Sequence, residues 1–100
     1  MPRLVKKYIA RLLSVKSTGV KDEAEWSWRE IFVGMRGVMN IYESVNKAPG
    51  KHFVYIKNTD YYLRTGQGDM IQEDKMITLS TKNSVYKFQL LSGNLLEEEG

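Results

Sequence analysis

The sequence predicts an α+β domain, with one or two N-terminal helices packed on an antiparallel β-meander of four to five strands. Three observations lead there. Apolar residues in the first half recur at helical spacing, those after residue 52 recur at every second position, and clusters of turn formers divide the second half into short runs. The rival is an all-β small barrel in which residues 8–16 and 25–33 are strands as well.

The elements follow in order. Leu4, Val5, Tyr8, Ile9, Leu12 and Leu13 line one stripe of a helix over residues 4–15, with Arg3, Lys6, Lys7 and Arg11 beside or away from it. A strand from Tyr8 to Lys16 competes, because Tyr8, Ala10, Leu12 and Ser14 alternate with Ile9, Arg11, Leu13 and Val15. Ser17-Thr18-Gly19 is a turn signal, and Asp22-Glu23-Ala24-Glu25 has the spacing of a capping box. Behind it, Trp28, Ile31, Phe32, Met35, Val38, Met39 and Tyr42 follow the i, i+3, i+4, i+7 template. Gly34 and Gly37 each cost about 1 kcal/mol in a helix relative to Ala, so the helix is expected to stop or bend there. Residues 38–45 then read as a second helical piece or as an extended strand. Asn46 to Lys51, with Pro49-Gly50 inside it, is a loop.

From there the period is two. Phe53-Val54-Tyr55-Ile56 and Tyr61-Tyr62-Leu63-Arg64 form a hairpin around Lys57-Asn58-Thr59-Asp60, expected to set Ile56 against Tyr61 and Val54 against Leu63. Met70-Ile71-Gln72 is a short strand. The last hairpin has a sharper register: a loop of even length near Lys82-Asn83 places Leu79 beside Tyr86 and Ile77 beside Phe88, whereas an odd one buries Gln89. The Thr81-Lys82-Asn83-Ser84-Val85-Tyr86 hairpin, preceded by Tyr62-Leu63-Arg64-Thr65, resembles a β-unit of short bacterial and phage proteins. It covers a minority of the chain. The resemblance implies a microbial, cytoplasmic setting and brings no activity with it.

One hundred residues suit a single domain, read as residues 1–94, with 95–100 an acidic frayed tail. Absence of Cys removes disulfides, thiolate zinc sites and cysteine nucleophiles, and no run approaches the ~18 apolar residues of a membrane-spanning helix. The N-terminal residues lack the long apolar core of a signal peptide, while their basic, acid-free composition leaves an organellar presequence as a minor alternative. His52 is the single histidine, so a protein-built transition-metal site is not expected. Gly66-Gln67-Gly68 is too short for a phosphate or dinucleotide fingerprint and reads as a turn. Neither catalytic nor cofactor-binding residues emerge, no small-molecule substrate is evident, and the chain is not expected to be an enzyme.

Charge is the informative feature. The 15 basic and 12 acidic residues give +3 overall, yet residues 1–21 contain six bases and no acid. A basic arm on a mildly acidic body suits a polyanionic partner, or it faces water, or it lies on the body's own acids. In the first hairpin the parity of Phe53, Tyr55, Tyr62 and Arg64, with Lys51 and Lys57, opposes that of the aliphatics. Aromatics among cations on an open sheet face can stack bases and hold phosphates, each stack contributing ~1–3 kcal/mol. If both faces are covered, the same rings are core.

Two functions are therefore expected. The first is a small non-enzymatic interaction module that binds a protein partner, associates with itself or acts as a regulator. The second is a nucleic-acid-binding protein using Arg3, Lys6, Lys7, Arg11, Lys51, Phe53, Tyr55, Lys57, Tyr62 and Arg64.

Overall fold

Residues 4–15, where a helix is expected, are extended. The structure, a computed structural model, describes residues 2–21, 26–44 and 50–98. Its first strand, β1, runs from Arg3 to Ser17. The apolar residues of β1 imitate a helical stripe because the strand is bulged twice, between Leu4 and Lys6 and between Leu12 and Ser14. A bulge inserts one residue and inverts the side-chain alternation beyond it. Tyr8, Ala10 and Leu12 thus reach the core on one parity and Val15 on the other.

The second expected helix is also corrected. Asp22-Glu23-Ala24-Glu25 lies outside the described residues. A 3₁₀ helix covers Ser27–Phe32 only, and Gly34, at a φ of 94°, turns the chain out of it. The break expected at Gly34–Gly37 is there, but β2, Arg36–Glu43, is a strand with Met39 and Ile41 fully buried. Gly37 lies so close to the neighbouring strand that a Cβ would collide with the carbonyl of Lys57. The fold is all-β with only 11% helix, not α+β, and the described part of the span 25–33, residues 26–33, is not a strand either.

The remaining strands are β3 (His52–Lys57), β4 (Tyr62–Arg64), β5 (Gly68–Glu73), β6 (Met76–Thr81) and β7 (Ser84–Leu90). All pairings are antiparallel, and β1 joins both β2 and β7. β4 and β5 act as one interrupted strand beside β3. At the break, Thr65 Oγ1 accepts from the Val54 amide at 2.9 Å and the Thr65 amide donates to the Val54 carbonyl at 2.9 Å. A side chain thereby replaces one rung of the ladder. The single bridge His52–Gly68 then closes the ring into an up-and-down barrel.

The inner wall is apolar. Leu12, Met39, Ile41, Val54, Ile56, Ile77, Leu79 and Phe88 are fully buried within it. Ile77 pairs with Phe88 and Leu79 with Tyr86, the expected register. The first hairpin keeps the expected parity but slips by two residues: Ile56 faces Leu63 and Lys57 faces Tyr62. Asn58 sets this turn, because its Oδ1 accepts from the amides of Asp60 and Tyr61 while its own amide bonds the Tyr61 carbonyl. Trp26 is buried in the core and donates Nε1–H to Ser84 Oγ at 2.7 Å. At the end of the chain a single α-helical turn, α1 (Leu95–Glu98), follows Asn94, whose Oδ1 accepts from the amides of Lys7 and Leu96. No helix among the described residues is long and apolar enough to cross a membrane.

Candidate functional site

Closing the ring turns one face of every strand outward, and directly paired residues share that face. The outward rows crossing β1 to β4 can be read from the register. Leu4, Tyr42 and Phe53 form one row. Lys7, Asn40, Tyr55 and Arg64 form the next. Ile9, Val38, Lys57 and Tyr62 follow, and Arg11 with Arg36 completes the set. Five cations and four aromatic rings share this surface, and no acid occurs in these rows.

The rings are ordered in pairs. Tyr42 stacks on Phe53 at 5.1 Å between centroids, and Tyr55 on Tyr62 at 5.9 Å. The Arg64 guanidinium lies 5.1 Å from the centroid of Phe53, within cation–π range. Phe53 is itself only 7% exposed, so it supports the surface, whereas Tyr62 at 65% is open to solvent. The same face holds a depression of about 380 Å³ lined by Pro2, Asn40, Tyr42, Phe53, Tyr55, Lys57 and Arg64. In the middle row, Asn40 Oδ1 is buried without a hydrogen-bond partner.

Electrostatics sharpen the picture. Arg11 sits directly opposite Arg36, and like charges facing across strands destabilise a sheet. Among the described residues none of Lys7, Arg11, Arg36, Lys57 and Arg64 enters an ion pair. Among the described residues the surface is positive and its charge is not compensated by an acid.

The ten residues expected at a site thus separate. Lys7, Arg11, Phe53, Tyr55, Lys57, Tyr62 and Arg64 come together. Arg3 is tied to Glu43 at 2.7 Å and Lys51 to Asp69 at 2.6 Å. Lys6 has the inward parity and reaches across the barrel mouth, where Nζ donates to Gln72 Oε1 at 2.8 Å. Sequence reasoning missed Arg36, Asn40 and Tyr42. Reading residues 36–43 at period two would have found them, since Arg36, Val38, Asn40 and Tyr42 alternate with the buried Met39 and Ile41.

His52 lies at that mouth with Nε2 3.8 Å from Glu43 Oε2, and its Nδ1 has no partner. Its neighbours around a small recess are Val5, Lys6, Ile41, Met70 and Gln72, a set without a nucleophilic hydroxyl. Among the described residues no cluster of three His, Asp or Glu is arranged to hold a metal ion. The chain matches no described protein family, no curated protein and no solved structure.

Proposed function

We propose that this protein binds single-stranded nucleic acid on the outer face of β1 to β4, without catalysing a reaction on it. One observation carries the reading: Lys7, Arg11, Arg36, Lys57 and Arg64 share an acid-free surface with Tyr42, Phe53, Tyr55 and Tyr62. Phosphates satisfy the unpaired cations, and the facing Arg11 and Arg36 gain most because an anion between them removes their repulsion. Bases stack on the exposed Tyr62 and the partly buried Tyr55, which a duplex, with its bases already stacked, does not permit.

Counterion release makes the reading testable. For single strands the slope of log affinity against log salt is about −0.7 per phosphate neutralised, so five contacts give about −3.5. Titration of a labelled oligonucleotide at several salt concentrations is expected to give a slope near that value. The Arg11→Gln/Arg36→Gln variant is expected to lose about 1.4 from it. Affinity that ignores salt, or a slope that the double variant leaves unchanged, contradicts the proposal.

A protein partner is the second reading. It is supported by the exposure of Val20, Ile31 and Ile71, at 58%, 70% and 59%. These residues lie on separate elements, and apolar side chains exposed singly are ordinary on soluble surfaces.

A further inference from the structure

We infer that the groove between the 3₁₀ helix and β4 is a second base-binding pocket on the same strand of nucleic acid, with Arg64 holding the phosphate between the two sites. The inference rests on the reading above and extends it. A groove of about 410 Å³ is lined by Trp28, Phe32, Asp60, Tyr61, Tyr62, Leu63 and Arg64, a size within the ~300–1,000 Å³ of small-ligand pockets. Tyr62 belongs to the outer face described above, and Arg64 lines both depressions. The two depressions thus share one wall, and that wall is a cation.

The groove has the chemistry of a base site. Trp28 and Tyr61 each meet Phe32 edge to face, at 85°. Trp28 remains 46% exposed and Tyr61 54%, although Phe32, which both rings meet, packs against the core. The Arg29 guanidinium lies 4.5 Å from the Trp28 ring centroid, which adds positive charge at the groove. Among the described residues of the lining Asp60 is the one acid, and it repels a phosphate placed there. The uncharged part of a nucleotide belongs in the groove and its phosphate at Arg64. A base can enter only if it is unstacked from its neighbours, so the ligand is a single strand.

Trp28 is also the reporter. The other tryptophan, Trp26, is 4% exposed and bonded to Ser84, so a ligand on the surface reaches only Trp28. Titrating the full chain with an oligothymidylate is expected to quench tryptophan emission, and Trp28→Phe is expected to abolish most of that quench. Trp28→Ala and Tyr61→Ala are each expected to weaken the single strand by roughly 5- to 150-fold, the loss of one stacked base. A thermal melt unchanged from the parent establishes that each variant folds. If the strand binds and Arg11→Gln/Arg36→Gln weakens it, while Trp28 emission and both alanine variants stay at parent values, this pocket is overturned and the outer face stands. Equal affinity for a duplex of matching length overturns the pocket too. Absence of any strand binding overturns both.

Discussion

The exterior of β5, β6 and β7 presents three outward rows: Asp69, Ser80 and Val85; Ile71, Thr78 and Lys87; Glu73, Met76 and Gln89. They contain one cation, two acids and no aromatic ring. Across the barrel, the four rows traced over β1 to β4 carry five cations, four rings and no acid. The pleat is the same on both sides, and so is the chemistry of the inner wall: Met39, Ile41, Val54 and Ile56 on one, Ile77, Leu79, Tyr86 and Phe88 on the other. Closure and burial therefore ask nothing of the exterior that would gather positive charge on one half. The opposition of Arg11 and Arg36 even costs stability. A local feature that opposes folding with no structural compensation is where function is expected.

The largest expected effect separates the two exteriors by binding. Tyr55→Ala and Tyr62→Ala are each expected to weaken single-strand affinity by ~1–3 kcal/mol, while Thr78→Ala and Val85→Ala on the opposite side leave it within a factor of about two. Fluorescence anisotropy of a labelled oligonucleotide reads all four. Comparable losses on both sides would dissolve the comparison. A smaller effect sharpens it. Arg11→Glu converts a repulsive pair into an attractive one with Arg36, so stability is expected to rise by about 0.2–1 kcal/mol in a denaturant titration. The same substitution is expected to weaken strand binding, so that stability and binding move in opposite directions. A site maintained for stability would show them moving together.

The two halves also differ in how far they can be read from the chain. In β6 and β7 the alternation is unbroken, so the facing of Ile77 with Phe88 follows from parity and an even loop alone. In β3 and β4 the outward set of Phe53, Tyr55, Tyr62 and Arg64 was legible for the same reason. The slip of two residues was not, because it depends on the Asn58 side chain capturing two amides. β1 and β2 read as helix or strand alike. The bulges at Val5 and Leu13 scramble the period of β1, and the spacing of Phe32, Met35, Val38 and Met39 across the Gly34 bend imitates a helix. Half of the site was hidden with them. The meeting of Arg11 with Arg36 needs a long-range pairing that no local pattern encodes.

The central claim is that the anion-binding surface is the outer face of β1 to β4 and not the barrel as a whole. Amide chemical-shift mapping during titration with a short single-stranded oligonucleotide tests it most directly. The account predicts perturbations at Lys7, Asn40, Tyr55, Lys57, Tyr62 and Arg64, with Asp69, Ile71, Thr78 and Gln89 unmoved. Perturbations centred on β5 to β7, or spread evenly around the ring, would contradict it.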